Sequence, residues 1–304
     1  MTFGLTLVPL PTHRAPLAGG DLAYLDVGPG DVSPGDVGPG DVGPGDAGRG
    51  APLATAVFVP GYTGSKEDFA QLAAPVAAGG VRFLAIDQRG QYESVGPDDP
   101  AAYRVPALAG ELLEFVASVA AGPGGPGGTG GPVHQVGHSF GGLVARAAAI
   151  RAPSAVASLT LLGSGPAGLS GARVDRMREL APLLDSHGPE ALFEAIAGLP
   201  PGTPDSALTA FLRRRFLASN VTALHTMGDE VVQEPDRVDE LRATGLPLLV
   251  ACGEQDDAWT PETQRAMAER LGAPFAVIAG AIHSPAAERP DETARLLLGF
   301  WLGR

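Results

Sequence analysis

The sequence predicts an α/β fold: a mostly parallel, eight-stranded sheet with helices on both faces and one helical insertion. Three observations carry this. From residue 56 to the end, short apolar runs alternate with helical patterns, as in parallel strands joined by helices. Residues 133–150, VHQVGHSFGGLVARAAAI, pass from an apolar run to an Ala-rich, proline-free run within a few residues, so a strand must bend sharply into a helix. From about residue 166 to 244 the alternation lapses into short helical stretches separated by breakers, with no clear strand.

Taken in order, residues 5–8 and 22–27 read as two opening strands separated by a proline- and glycine-rich turn. Residues 28–47 then repeat a five-residue unit, GPGDV, SPGDV, GPGDV, GPGDA. Proline and glycine at that density oppose helix and ladder alike and leave almost nothing to bury. Residues 28–50 are therefore expected to form a disordered loop between two adjacent strands. The spacing of Asp31, Asp36, Asp41 and Asp46 matches neither an EF-hand nor a nine-residue calcium repeat, so the tract is read as solvated.

Residues 56–59 form the next expected strand, followed by Pro60-Gly61-Tyr62-Thr63-Gly64 and a helix capped by Ser65, with Asp68 bonding back to it. Phe69, Leu72 and Val76 share one face of that helix. A strand at 81–86 ends in Asp87-Gln88-Arg89-Gly90, and 108–121 reads as an amphipathic helix. A second low-complexity loop, 122–131, leads into the strand before Ser139. After the helix at 140–150, Pro153 stops the pattern and 159–162 is a strand. The core is expected to comprise 1–165 and 245–304, with 166–244 as an inserted helical lid. Strands at 246–252 and 275–278 follow; between them Thr260 and Pro261 open a helix that stops at Gly272. A final helix begins near Pro290.

The hydrophobic fraction of 44% is enough for a sizeable core. A formal net charge of −13 argues against nucleic acid and anionic membrane surfaces as partners. The single cysteine, Cys252, lies in an apolar run and is expected to be buried and inert. No basic residue precedes the short apolar run at the N-terminus, and no apolar run approaches the ~20 residues of a membrane helix. A cytoplasmic protein without membrane insertion, acting on a small molecule, is the expectation.

The bend reads Gly137-His138-Ser139-Phe140-Gly141. Gly137 and Gly141 lack Cβ atoms, so the two arms can approach closely and Ser139 is pushed out at the apex. A serine hydroxyl needs a base, and the base needs a group that fixes its tautomer. Of six histidines only His283 follows a late strand in a loop, where it can reach Ser139. His134 and His138 are four apart but lie on a strand and a bend, not on the helix that would set them side by side as a zinc pair. Asp256 and Asp257 follow the strand at 246–252, and a tight turn there aims one of them inward. Active groups gather at the carboxyl ends of such strands, so these side chains can meet on one edge.

The chain resembles the α/β-hydrolase superfamily, in its branch of single-domain serine esterases and lipase-like enzymes with a helical lid. The resemblance spans residues 53–304 and rests on FVPGYTGS, AIDQRG, GHSFGG, GEQDDAWTP and GAIHSPAAERP. It implies the α/β-hydrolase fold. The family's acid usually stands three residues after the glycine ending its strand, which makes Asp256 the third member, with Asp257 in reserve, in the family's order Ser139, Asp256, His283. It implies an oxyanion hole from the backbone N–H groups of Phe140 and Tyr62, although Pro60 replaces the family's usual histidine in that loop. Related dehalogenases and epoxide hydrolases place an aspartate at the bend, where this chain has serine. The implied activity is carboxylic ester hydrolysis through an acyl-enzyme, with no metal or organic cofactor. Acyl transfer or thioester cleavage by the same residues, or a slow-turnover ligand-sensing homologue, are the alternatives. Gln88, Arg89, Tyr92 and Trp259 are candidates to line the substrate pocket.

Overall fold

The computed structural model describes residues 5–32, 52–120, 133–198 and 205–303. The chain opens with an antiparallel hairpin, β1 (Thr12–Leu17) and β2 (Gly20–Val27), in which Gly20 at φ 109° makes the tight return possible. The opening strand is thus 12–17 and not 5–8. Among the described residues β1 pairs only with β2, and on such an edge Pro16 need not donate to a neighbour. Leu5 instead packs against the insertion described below.

β3 (Ala54–Val59), a 3-10 stretch (Lys66–Leu72) leading into α1 (Ala73–Ala78), and β4 (Val81–Ile86) follow. The expected helix after Ser65 is 3-10 over its first seven residues. The Ser65 N–H donates to Asp68 Oδ2 at 3.2 Å as expected, and the Ser65 hydroxyl donates to Glu67 at 2.6 Å. Then come α2 (Val105–Ala120), β5 (Val133–His138), α3 (Phe140–Arg151) and β6 (Val156–Leu162). Among the described residues, four helices separate β6 from β7: α4 (Ala172–Ala197), α5 (Ala207–Ala218), α6 (Val221–Gln233) and α7 (Val238–Ala243). α4 breaks at Gly188, which adopts φ 79° before Pro189. β7 (Leu248–Gly253), α8 (Pro261–Leu271), β8 (Phe275–Ile278), α9 (Pro285–Glu288) and α10 (Pro290–Leu302) complete the chain.

The eight strands form one sheet in the order β1-β2-β4-β3-β5-β6-β7-β8, parallel from β4 to β8. β2 and β3 are therefore not neighbours in the sheet, since β4 lies between them. Its first residues form one 3-10 turn, Pro29–Asp31, because Asp31 Oδ2 accepts the Gly28 N–H at 2.7 Å. The rest of the repeat, from residue 33, and the second low-complexity loop lie outside the described residues.

Successive side chains of a strand face opposite sides of a sheet. Val57 and Val59 of β3 accordingly join one core, with Phe115 of α2, Leu143 and Val144 of α3 and Met267 of α8. Ala56 and Phe58 join the other, with Phe69, Val76 of α1 and Leu297 of α10. α7 contributes Val238 and Leu241 to the first core, beside α3 and α8. A third cluster, with Leu184, Phe193, Phe211, Phe216 and Leu224, belongs to α4, α5 and α6.

The insertion is tied to the sheet through Arg146 of α3, which is fully buried. Its guanidinium donates to the carbonyls of Gly165 (3.3 Å) and Pro166 (2.5 Å) on one stem, and to Glu234 (3.3 Å) and the Pro235 carbonyl (3.2 Å) on the other. Both stems thus meet at one side chain. Among the described residues no helix is long and apolar enough to cross a membrane.

Candidate active site

The order of the central strands places the site. β4 lies on one side of β3 and β5 on the other, so a crevice opens between the ends of β3 and β5, where α/β sheets hold ligands. α3 starts there. A Cβ on Gly141 would stand 2.3 Å from the Val59 carbonyl oxygen, and one on Gly137 2.5 Å from that of Gly141. Glycine at both positions lets β5 turn into α3 against β3. Between them Ser139 is held at φ 54°, ψ −121°, a conformation that costs a non-glycine residue about 1–3 kcal/mol. Its N–H donates to the Leu162 carbonyl at 3.0 Å.

His283, in the loop after β8, brings Nε2 to 3.0 Å from Ser139 Oγ. Its Nδ1 lies 2.9 Å from Oδ1 of Asp256, in the turn after β7. A carboxylate only accepts, so Nδ1 carries the proton and Nε2 presents its lone pair to the hydroxyl. Asp256 is 3% exposed; its Oδ1 also accepts the Ala258 N–H (3.0 Å) and its Oδ2 a proton of Gln264 Nε2 (2.9 Å). Asp257 points away and pairs with Arg173 at 2.7 Å. The structure brings Ser139, His283 and Asp256 together and leaves Asp257 outside.

The loop after β3 faces this group. A Cβ on Gly61 would stand 3.1 Å from the Ser139 Cβ. The Gly64 N–H donates to the Gly61 carbonyl (3.0 Å), closing a turn in which Thr63 adopts φ 60°. Two buried amides hold its carbonyls: Gln88 Nε2 donates to Pro60 (2.8 Å) and Gln91 Nε2 to Gly61 (2.9 Å). Gln91 Oε1 in turn accepts the Gln88 N–H at 3.2 Å. Tyr62 and Phe140 follow Gly61 and Ser139 in the chain, and the Phe140 N–H, at the first position of α3, has no intrahelical acceptor. The Tyr62 hydroxyl donates to the Leu224 carbonyl at 2.9 Å, and burial, with Asp229 nearby, pushes its pKa up.

Ser139, His283 and Tyr62 open into a cavity of about 500 Å³ whose far walls are Leu180, Leu184, Phe193, Leu212 and Phe216 of α4 and α5. A buried pair, Arg215 and Asp68 at 2.5 Å, stands in its wall.

A family model described as the alpha/beta hydrolase family matches residues 56–296. The chain belongs to the alpha/beta hydrolase family. No curated protein matches it in sequence. Among solved structures, an enol-lactonase from Burkholderia xenovorans LB400 is similar at 21% identity and TM-score 0.72, over 96% of this chain and 100% of that one. A carboxylesterase of the thaumarchaeon Nitrososphaera gargenis shares 19% identity at TM-score 0.71, over 96% and 98%. A thermophilic esterase from Thermogutta terrifontis shares 20% at TM-score 0.71, over 96% and 98%.

In this alpha/beta hydrolase, four residues expected in the pocket do not line the cavity. Gln88 supports the loop after β3. Arg89 is bound to Glu111 and to the carbonyls of Gly20 (2.7 Å), Asp21 (3.1 Å) and Val95 (2.8 Å). Tyr92 packs edge-on against Phe211 at 5.9 Å, with Lys66 Nζ 4.7 Å over its ring. Trp259 donates to the Ala167 carbonyl at 3.0 Å and fills the space over Gly165. Each is held by main chain or core that no local pattern reveals. Conversely, Gln91, Gln264 and His138 carry no periodic signal, yet each touches the site. His138 donates from Nε2 to the His283 carbonyl at 2.7 Å. Burial, then the neighbouring His283, pulls its pKa down to about 4, so it is neutral. Cys252, pushed up to about 12 mainly by burial, is a thiol.

Proposed function

We propose that this hydrolase cleaves carboxylic esters of small to medium size through an acyl-enzyme on Ser139. The observation that carries the reading is the continuous hydrogen-bonded chain from Ser139 Oγ through His283 to Asp256, at 3.0 and 2.9 Å, opening into a cavity with an apolar stretch of wall from α4 and α5. The esterase and lactonase names borne by similar structures agree with it.

Ser139 Oγ attacks the acyl carbon as His283 Nε2 takes its proton. Asp256 holds the imidazole in the tautomer that leaves Nε2 free and stabilises the imidazolium. The N–H groups of Phe140 and Tyr62 receive the oxyanion. The tetrahedral adduct collapses by breaking the bond to the alcohol, which takes the proton from His283. Water, deprotonated by the same nitrogen, attacks the acyl-enzyme and releases the acid. α4, α5 and α6 act as a lid, whose apolar wall receives the acyl chain and keeps bulk water from it. The protein acts in the cytoplasm without a cofactor.

The test is turnover of p-nitrophenyl esters of increasing acyl length by the wild type and Ser139→Ala. Turnover by the wild type, abolished in a folded Ser139→Ala, supports the reading; undiminished turnover in that variant overturns it.

A further inference from the structure

The cavity does not share the charge of the chain. The protein carries a formal net charge of −13. Yet Arg173, Arg176 and Arg178, all in the first two turns of α4, stand in the cavity wall. Cations there oppose the helix dipole, whose N-terminal end favours acids, and only weak i,i+3 pairs within the helix offset this. Their partners lie outside the cavity: Asp257 at 2.7 Å, Glu179 at 2.8 Å and Asp175 at 3.7 Å. The side chains of these carboxylates are 68%, 68% and 76% exposed. Exposed pairs of this kind are weak, and a guanidinium in one can turn to an anion entering the cavity.

The same helix face changes character along its length. Arg173, Met177, Leu180, Ala181 and Leu184 all line the cavity at three- and four-residue spacings, so they form one stripe. The stripe spans about 16 Å, cationic at its start and apolar beyond. Its cationic end lies on the Asp256 side, because Arg173 is bonded to the adjacent Asp257. The other charged and titratable side chains in that wall are engaged or repel: Arg215 is paired with Asp68, His225 is bonded to Asp185 at 3.1 Å, and Asp229, beside Tyr62, repels an anion.

We propose that the site takes amphiphilic esters whose acyl group is apolar and whose leaving group bears a negative charge, such as a carboxylate, sulfonate or phosphate. The chain lies along the apolar part of α4 and the anion is held by Arg173, Arg176 and Arg178. The proposal rests on the serine-hydrolase reading above. In the step, the Ser139 Oγ–acyl bond forms, the acyl–oxygen bond to the leaving group breaks, and His283 returns the proton to that oxygen. The anion itself stays ionised throughout.

The experiment compares octanoyl esters of p-nitrophenol and of nitrophenols carrying a ring carboxylate, sulfonate or phosphate, each rate divided by that ester's rate with hydroxide. The wild type is expected to prefer at least one anionic ester in kcat/KM by about tenfold or more, and the largest preference identifies the anion. Raising NaCl from about 0.05 to 0.5 M should shrink the preference by shortening the reach of the charges. Combining Arg173→Gln, Arg176→Gln and Arg178→Gln should bring the ratio near one. A ratio near one for every anion in the wild type, with Ser139→Ala inactive, overturns the proposal and spares the reading beneath it. So does a ratio that the folded triple variant retains; if that variant does not fold, a wild-type preference indifferent to salt is the overturning result. Inactivity on every ester, together with no labelling by a fluorophosphonate, would remove both.

Discussion

His138 donates from Nε2 to the carbonyl oxygen of His283 across 2.7 Å. The residue before the candidate nucleophile thus holds the backbone of the candidate base, and their rings lie 5.0 Å apart. This bond adds to the Ser139–His283 contact in coupling the bend to the loop after β8, so the Ser139–His283 distance depends on a side chain in neither the attack nor the proton transfer. His138→Phe removes the donor and should lower kcat about 10–100-fold with KM little changed, since a small misplacement of reacting groups is costly. His138→Gln, which keeps a terminal N–H, should recover part of the loss. Steady-state kinetics with a p-nitrophenyl ester check both.

The same histidine makes a pH prediction. Its folded pKa, about 4, lies below the ~6.5 of an unfolded histidine. Between these values the unfolded chain binds the proton and the folded one does not, so stability is present above pH ~6.5 and is lost as pH falls through about 4. His134, also pulled down to about 4 by burial, adds to the slope. Urea unfolding at pH 7 and pH 5 should show the wild type losing more stability than His138→Phe.

Gln264 completes the seat of Asp256, donating to Oδ2 at 2.9 Å and to the Trp259 carbonyl at 2.7 Å. Gln264→Leu should lower kcat/KM about 10–100-fold, the effect of one supporting hydrogen bond to a charged group. Gln264→Glu sets a second carboxylate against Asp256 and should be worse. Ester kinetics rank the two.

Gln91 and Gln88 hold the loop that carries Tyr62. Losing an oxyanion donor outright costs ~3–4 kcal/mol of transition-state stabilisation, and loosening the loop of the proposed donor should cost less. Gln91→Leu should therefore lower kcat about 10-fold, with a smaller change in KM. An equal loss in 1/KM alone would place Gln91 in substrate binding instead.

Arg146 joins both stems of the insertion, and Arg146→Met leaves Glu234 buried without its partner. Breaking a buried pair on one side costs about 3–5 kcal/mol. Adding Glu234→Gln should restore part of it, which denaturant unfolding of the single and double variants measures.

The fold was legible in the sequence because parallel strands buried on both faces stand out as apolar runs between helices. The bend at Ser139 was legible because glycines flank it, and His283 because only one histidine follows a late strand. The choice of Asp256 over Asp257 needed a resemblance, since neighbouring aspartates look alike until the turn after Gly253 buries one and exposes the other. β1 escaped because an edge strand with Pro16 carries neither an apolar run nor a clean alternation. The pocket escaped for a different reason. Arg89, Tyr92 and Trp259 sit near motifs, but their partners lie at Gly20, Phe211 and Ala167, and local pattern says nothing of such distant contacts. Much of the cavity wall comes instead from α4, α5 and α6, whose apolar residues read only as the core of the insertion.

The most direct measurement is labelling of the purified protein by a fluorophosphonate, with mass spectrometry to locate the adduct. The account predicts one phosphonyl group on Ser139 and none in Ser139→Ala. A wild type that hydrolyses p-nitrophenyl esters while Ser139 stays unlabelled, or a Ser139→Ala variant that hydrolyses them equally well, would contradict it.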